Sequence, residues 1–208
     1  PNTALAEGEL DANAFQNFAY FEKFIEEHNL DLVPIATTVL APMGLYSEKY
    51  EDVKDIPENS TIAIPNDVSN GGRALVLLKE AGLIELREDF DGNLTSFEHD
   101  IIDNPLNLQF EQMVAAQTPR ALQDVAASII NSGIATDAGL NPVQDAIFLE
   151  SDTSIDYLNL IAVRAEDKDD PTLNRIAELF QEEDIAEFIE KEYKGALIPT
   201  FVPLEELG

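Results

Sequence analysis

The sequence has 208 residues, 45% of them hydrophobic, which is enough apolar material for one large core or two smaller ones. It carries 41 acidic and 12 basic residues, and the formal charge of −29 argues against nucleic acid and anionic membranes as partners. Cysteine is absent, which excludes disulfide bonds, thiolate metal sites and cysteine nucleophiles. The acidic residues are spread along the chain, so a solvated acidic surface is favoured over a dedicated cationic partner.

The first sixty residues alternate between helical and extended patterns. Residues 2–9 and 16–29 predict helices around a strand at 10–15, and residues 32–41 predict a long strand. Residues 42–60 contain Pro42, Gly44 and Pro57 and predict a connector. Because the chain begins inside helix-like sequence, we expect a further segment to precede it in the whole protein.

A strand followed by a helix is predicted next. Residues 61–66 alternate and are rich in β-branched side chains, and the helix after them has a buried apolar stripe and ends near Gly82. Three residues are candidates to cap its start: Asp67, Ser69 and Asn70.

The rest of the chain repeats this alternation. Residues 118–131 predict a short helix capped by Thr118, then a buried strand that ends on Asn131, and residues 156–164 predict another strand. The C-terminal region predicts helices, the first capped by Asp170. Their predicted apolar faces are Leu173, Ile176, Ala177 and Phe180, and then Ile185, Phe188 and Ile189.

The alternation of strands and helices predicts an α/β protein with mostly parallel sheets. Two turn-rich stretches, 42–60 and 150–156, are the places where the chain can pass from one domain to another. This arrangement predicts a middle domain inserted into a domain that both ends of the chain form.

Arg73 follows two glycines at the predicted start of a helix, where its charge opposes the helix dipole unless an anion is near. The anion is either a ligand carboxylate or an acid of the protein itself, and the local sequence does not separate the two. Gly71 and Gly72 favour the ligand slightly, because small residues permit close approach of the backbone. No P-loop or G-x-G-x-x-G motif is present.

Asparagines follow two predicted strands and begin a third. Asn66 and Asn131 lie at carboxyl ends of strands, where ligands bind in open α/β sheets, and Asn159 lies early in its strand. An amide offers both donors and an acceptor, so it can hold an ammonium or a carboxylate without adding charge. For any one of them, a turn or helix cap is the better-supported role.

Residues 15–24 are rich in aromatic side chains. Phe18, Phe21 and Phe24 have helical spacing and are predicted to be in the core. Phe15 and Tyr20 lie off that stripe and are candidates to line an apolar pocket, although periodicity alone favours the core for them as well.

Enzymatic and metal sites have little support. The loop at 89–100 has the acidic residues of a calcium loop, but Leu94 occupies the position that requires glycine and Asp100 the position that requires glutamate, so a solvated loop is predicted. The chain has two histidines and neither a G-x-S-x-G nor an H-E-x-x-H motif. We therefore predict no catalytic residue, no metal and no cofactor.

Several segments together resemble one family. They are ELDANAFQNFAYF, PMGLYS, PNDVSNGGRALVLLKEAGLIEL, TPRALQDVAASIIN and YLNLIAVR. Their order and spacing, from Pro1 to about Lys194, are similar to those of the methionine-binding (NlpA-type) lipoproteins, the substrate-binding components of amino-acid ABC importers.

The resemblance implies a fold. We expect a two-lobed, type II periplasmic-binding (Venus-flytrap) architecture with two crossover segments and the ligand in the cleft between the lobes. Residues 1–42 and 156–208 would form one lobe and residues 43–155 the other. The family also has an earlier strand and helix, and a pocket tyrosine a few residues ahead of Pro1, which this sequence does not contain.

The resemblance also implies a ligand-binding site. Arg73 would pair with the α-carboxylate of the ligand, and its buried charge would be neutralised only when the ligand arrives. Asn131 and Asn159 would hold the amino-acid head group, and Phe15 and Tyr20 would flank a thioether side chain. The family commonly has histidine where this chain has Asn17, which leaves the specificity for methionine open.

The implied partners are an amino acid and the permease of an ABC importer, with the protein acting as a monomer that binds no nucleic acid. It would work outside the cytoplasm, at the cell surface or in the periplasm, anchored by lipid through an N-terminal segment. The alternatives are another apolar amino acid or a methionine-containing dipeptide as ligand, and, with less support, an α/β enzyme acting on a small carboxylate. Nothing in the sequence indicates a role in adhesion.

Overall fold

The structure is a computed structural model, which describes residues 1–151 and 155–207. Pro1–Ala41 and Thr153–Gly208 form one unit (unit 1), and Pro42–Asp152 form the other (unit 2). Of the predicted second connection, at 150–156, residues 152–154 lie outside the described residues.

Helices and strands alternate along the described residues. The α-helices are α1 (Asn2–Ala6), α2 (Phe18–His28), α3 (Val68–Glu80), α4 (Phe97–Asp100), α5 (Thr118–Ala121), α6 (Ser132–Asp137), α7 (Pro142–Asp145), α8 (Pro171–Phe180) and α9 (Glu183–Tyr193). The β-strands are β1 (Leu32–Leu40), β2 (Gly44–Tyr46), β3 (Thr61–Pro65), β4 (Glu85–Leu86), β5 (Ile101–Asp103), β6 (Gln109–Met113), β7 (Ala127–Ile130), β8 (Ala146–Leu149), β9 (Leu158–Arg164) and β10 (Ile198–Pro199).

Unit 1 is built on a three-stranded antiparallel sheet with the order β10–β1–β9. The predicted strand at 32–41 is confirmed as β1, which pairs with β9 from Leu32 opposite Arg164 to Leu40 opposite Leu158. The apolar face of α2 packs on this sheet, because Phe18 and Phe21 are buried in one cluster with residues of β1 and β9.

The predicted strand at 10–15 is reduced to isolated bridges along β9. Asn13 pairs with Ala162, and Asn17, just beyond the predicted strand, pairs with Asn159. Between them the Gln16 side chain exchanges two hydrogen bonds with the Asn2 side chain, at 2.6 and 2.7 Å. This buried amide pair ties the segment to α1, so side-chain hydrogen bonds and isolated bridges hold it in place of a regular strand.

The C-terminal helices begin as predicted but bury less of their apolar faces. Asp170 caps α8 by accepting hydrogen bonds from two backbone N–H groups. Ala177 of α8 and Ile189 of α9 are buried, whereas Ile176 is 50% exposed and Phe188 56% exposed. The predicted apolar faces are therefore only partly confirmed.

Unit 2 contains a five-stranded sheet with the order β6–β3–β7–β2–β8. β3 is parallel to both of its neighbours, whereas β2 is antiparallel to both of its own. The prediction of mostly parallel sheets is wrong, because β2 runs against β7 and because the sheet of unit 1 is antiparallel. β2 lies within the predicted connector at 42–60 and has only three residues, so its alternation is too short to reveal a strand.

The helix predicted after residue 66 is confirmed as α3, with Asp67 as its N-cap and Gly82, at a φ of +73°, just after its C-cap. Its buried side chains join those of the sheet in the core of unit 2, which includes Leu45, Ile62, Ile64, Leu75, Leu78, Ile84 and Ile129. The short helix α5 is also confirmed, but its N-cap is Gln117 and not Thr118, whose hydroxyl donates to the carbonyl of Ala115.

The two glycines of α3 pack against the protein itself. A Cβ at Gly72 would overlap the carbonyl oxygen of Gly92, and a Cβ at Gly71 would lie 2.9 Å from the Leu94 side chain. The backbone N–H of Leu94 also donates to the carbonyl of Val68. Interpreting these glycines as leaving room for a ligand is therefore wrong, since the loop at 92–94 occupies that space.

The loop at 89–100 ends in a buried carboxylate. Asp100 is fully buried and accepts hydrogen bonds from the backbone N–H groups of Thr95 and Ser96 and from the side chains of Arg87 and His99. The expectation of a solvated loop is therefore wrong at this residue. Burial by itself would raise the pKa of this carboxyl, but the hydrogen bonds donated to it outweigh that effect and hold the pKa below its ordinary value.

We expect Gly72→Ala to lower the free energy of unfolding by about 1–3 kcal/mol, because the new methyl group overlaps the backbone of Gly92. Gly133→Ala in α6 is the matched control, since a Cβ there has nothing within 4 Å. That control should be neutral or slightly stabilising, because alanine favours the helix more than glycine does. Urea unfolding monitored by circular dichroism measures both, and equal effects would contradict the packing argument.

We expect Asp100→Asn to lower the free energy of unfolding by about 1–3 kcal/mol at neutral pH, because it removes charge-assisted hydrogen bonds from a buried site. The folded pKa lies below the unfolded value of about 3.9, so this stabilisation is present above pH 4 and is lost as the pH falls through the folded pKa. Urea unfolding of both proteins between pH 7 and pH 2 measures it. A difference between them that stays constant down to pH 2 would contradict this assignment.

Candidate ligand-binding site

Arg73 lies in the second turn of α3 and forms a buried ion pair with Glu150. Its Nε and Nη2 donate to the two carboxylate oxygens of Glu150 at 3.0 and 2.5 Å, and the two side chains are only 2% and 5% exposed. The hypothesis that the charge of Arg73 is neutralised only by a ligand is therefore wrong. The other interpretation, an arginine paired with an acid of the protein, is confirmed, although the pair is buried and not on the surface.

Glu150 connects Arg73 to two strands of the sheet. It directly follows β8, its carboxylate accepts a hydrogen bond from the backbone N–H of Met43 at 3.1 Å, and its own N–H donates to the carbonyl of Met43. Met43 directly precedes β2. No local pattern distinguishes Glu150, because it is one of 41 acidic residues and its partner is 77 positions away.

Asn131 follows β7, and its amide reaches the start of α3. Its Nδ2 donates to Oδ1 of Asn70 at 2.9 Å, while its own Oδ1 is buried and has no hydrogen-bond partner among the described residues. Asn70, considered in the sequence only as a possible cap, therefore links Asn131 to α3. Asn66, the other asparagine at the carboxyl end of a strand, is exposed.

The other predicted site residues belong to unit 1 and lie close together there. Asn17 is the N-cap of α2, and its side chain accepts a hydrogen bond from the N–H of Tyr20 at 2.8 Å. The bridge between Asn17 and Asn159 brings the start of β9 alongside. The Phe15 and Tyr20 rings meet edge to face, with centroids 6.3 Å apart, and Phe15 remains 44% exposed.

Phe24 is not in the core, contrary to the prediction from its spacing. Phe18 and Phe21 are buried as predicted, but Phe24 is only partly buried and belongs to a row of rings along α2. Its centroid lies 5.8 Å from that of Tyr20, and the His28 ring stacks on it at 4.1 Å. Spacings of four residues place these side chains on one face of the helix.

The structure thus groups the six predicted site residues by unit. Phe15, Asn17, Tyr20 and Asn159 lie together in unit 1. In unit 2, Asn131 is bonded to Asn70, which lies one helical turn before Arg73. Within the described residues no cluster of His, Cys, Asp or Glu has the arrangement of a metal site, and none of their helices combines the length and hydrophobicity needed to cross a membrane.

Comparison with known proteins identifies the family. The model of the NlpA lipoprotein family matches residues 1–201. A nutrient-binding protein of Burkholderia cenocepacia, solved bound to methionine, is 42% identical, with a TM-score of 0.91 over 97% of this chain and 83% of that one. Protein PG110 of Staphylococcus aureus is 41% identical, with a TM-score of 0.95 over all of this chain and 82% of that one. A probable D-methionine-binding lipoprotein of Pasteurella multocida is 38% identical over 95% of this chain and 71% of its own length.

The chain belongs to the NlpA lipoprotein family. This is a family of substrate-binding lipoproteins and not of enzymes, and the mixed α/β fold agrees with its solved structures over nearly the whole chain. The resemblance in the sequence is thereby confirmed, and the hypothesis of an enzyme acting on a small carboxylate is set aside.

Breaking the buried pair of Arg73 and Glu150 should cost more stability than breaking an exposed ion pair does. We expect Glu150→Gln to lower the free energy of unfolding by about 3–5 kcal/mol, because it removes the carboxylate that accepts two hydrogen bonds from the buried guanidinium. The double variant Arg73→Met/Glu150→Leu should cost much less than the sum of Arg73→Met and Glu150→Leu measured singly, because no buried charge is left unpaired.

Urea unfolding of the variants, without ligand, gives this coupling. The exposed pair of Arg175 and Glu178 on α8 is the matched control, and Glu178→Gln should change stability little. Additive effects of the single substitutions at Arg73 and Glu150 would show that the pair is not coupled.

Proposed function

We propose that this protein captures methionine or a related amino acid outside the cytoplasm and delivers it to the permease of an ABC importer. The observation that carries the proposal is the likeness, at 42% identity over 97% of the chain, to the Burkholderia cenocepacia protein solved with methionine. The relative from Coxiella burnetii described as a periplasmic substrate-binding protein of an ABC transporter, with 38% identity and a TM-score of 0.90, supports the role in import.

The charges of the predicted site suit a zwitterion. Arg73 and Glu150 together carry no net charge, and Asn131 and Asn159 are neutral. We propose that Arg73 meets the α-carboxylate while it remains paired with Glu150, and that the two asparagines hold the head group. An amino acid then enters without adding net charge to a buried region, which would be costly.

The side-chain end of the ligand would contact Phe15 and Tyr20. Aromatic rings pack well against a thioether, and the exposed part of Phe15 is free to make such a contact. Asn17 uses its carbonyl oxygen to cap α2, so it would offer its amide N–H groups to this end of the ligand. This difference from the histidine common in the family is the reason to keep another apolar amino acid or a methionyl dipeptide as the second candidate.

The remaining expectations form part of the same proposal. We propose a type II, two-lobed binding-protein fold whose lobes are residues 1–42 with 156–208, and residues 43–155, with the ligand between them. The lipoprotein family supports a lipid anchor and a location at the cell surface or in the periplasm. We propose that the protein acts as a monomer, without cofactor, metal or nucleic acid.

Thermal unfolding tests the ligand. Protein stripped of bound ligand by unfolding and refolding is heated with L- and D-methionine, the other apolar amino acids and methionyl dipeptides. A ligand at 100 times its Kd should stabilise the protein by about 2.7 kcal/mol, which raises Tm by several degrees.

Asn159→Ala tests the proposed contact with the head group, and it should perturb folding little because Asn159 is only partly buried. Its Tm without ligand should be unchanged, and its shift with the ligand smaller. A shift with some other amino acid alone would reassign the specificity, and no shift with any member of the panel would contradict the proposed function.

A further inference from the structure

Three polar side chains form a continuous hydrogen-bonded chain in unit 2. The carboxylate of Asp67 accepts from Nδ2 of Asn70 at 3.0 and 3.2 Å, and Oδ1 of Asn70 accepts from Nδ2 of Asn131 at 2.9 Å. Oδ1 of Asn131, at the end of this chain, is buried without a partner among the described residues.

The order of donors and acceptors in this chain follows from its first member. An ionised carboxylate can only accept, so Asn70 must turn its NH2 group toward Asp67 and its carbonyl oxygen toward Asn131. Asn131 must then turn its NH2 group toward Asn70, which leaves its carbonyl oxygen at the far end. The orientation of two amides, which is ambiguous for an isolated asparagine, is set here by one charge.

The unpaired Oδ1 of Asn131 needs a hydrogen-bond donor. A buried acceptor without a hydrogen bond is costly, and Asn70, which holds Asn131 in place, is itself only 8% exposed. Asn70 and Arg73 are three residues apart on α3 and therefore neighbours on the helix surface. Asn70 holds the carbonyl oxygen of Asn131, which can accept from an ammonium, and Arg73, one turn further along α3, can donate to a carboxylate. One turn of α3 therefore supports both groups that the head group of an α-amino acid requires.

We infer that Asp67 and Asn70 are positioning residues, which orient the amide of Asn131 so that its carbonyl oxygen faces the α-ammonium group of the ligand. The inference rests on the proposed function and adds to it the source of selectivity for the amino group. Analogues of the ligand that lack the ammonium are excluded because they leave this oxygen unpaired.

The substitution Asp67→Asn distinguishes the role of Asp67 in orienting the Asn70 amide from its role in capping α3. Asparagine caps a helix as well as aspartate does, so the N–H of Asn70 keeps an acceptor and α3 keeps its start. In the wild type the capping oxygen also accepts from Nδ2 of Asn70 at 3.0 Å, and the second carboxylate oxygen accepts from the same Nδ2 at 3.2 Å. The substitution keeps the first of these hydrogen bonds and replaces the second with a contact between two NH2 groups, which repel, so the Asn70 amide is held less firmly in its orientation. If the Asn70 amide flips, the Asn131 amide must flip as well to keep their hydrogen bond, and its NH2 group then faces the ammonium.

The experiment is calorimetric titration of ligand-stripped wild type and Asp67→Asn with L-methionine and with 4-(methylsulfanyl)butanoate, the same molecule without its amino group. We expect Asp67→Asn to bind methionine about 10- to 100-fold more weakly with Tm unchanged, and to bind the analogue as the wild type does. The preference of the wild type for methionine over the analogue should shrink by the same factor.

Asp170→Asn is the matched control, because Asp170 is the N-cap of α8 and the substitution changes the charge equally. It should bind methionine with the affinity of the wild type. If the analogue binds too weakly to measure, the affinities of Asp67→Asn and Asp170→Asn for methionine are compared instead. Equal affinities would then overturn the positioning role of Asp67.

The outcomes separate this inference from the proposed function. If the wild type binds methionine and Asp67→Asn binds it equally well, the positioning role is overturned while the proposed function stands. If Asp67→Asn loses methionine and the analogue to the same extent, the effect is not on the ammonium and the inference is again overturned. A wild type that binds neither methionine nor any other amino acid overturns both.

Discussion

The ion pair between Arg73 and Glu150 is the constraint on which the organisation of unit 2 depends. A guanidinium that is 2% exposed requires a counter-charge, and the counter-charge comes from the residue directly after β8. Because the same carboxylate accepts from the N–H of Met43, the pair also holds the start of β2. One helix and two strands that are distant in sequence are therefore bound at a single point.

The start of α3 combines rigidity with polar function. Asp67 caps the helix and, with the same carboxylate, orients Asn70, while Gly71 and Gly72 allow the loop at 92–94 to pack directly on the helix backbone. A helix held by a cap on one side and by tight backbone packing on another has little freedom to shift. Side chains that must meet a ligand at hydrogen-bond distance benefit from such a support.

The sequence predicts the local features of this protein well and its long-range pairing poorly. β3, α3 and the strand before Asn131 follow from periodicity and turn chemistry, which act over a few residues, and the cap of α3 is one of the three candidates that the sequence offers. Glu150 could not be selected, because nothing local distinguishes it from the other acids. The antiparallel course of β2 depends on which strands flank a three-residue segment, and the orientation of the Asn131 amide depends on a carboxylate 64 positions earlier.

The pairing of Arg73 changes how selectivity arises in the proposed site. A bare buried arginine would attract any small carboxylate, whatever else that molecule carried. An arginine whose charge is offset by Glu150 attracts a carboxylate less strongly. A greater share of the affinity must then come from the ammonium and from the side chain of the ligand. In the proposed site, the side-chain oxygen of Asn131, which has no partner among the described residues, would accept a hydrogen bond from the ammonium. In a chain of net charge −29, this balance favours a neutral zwitterion over simple organic acids.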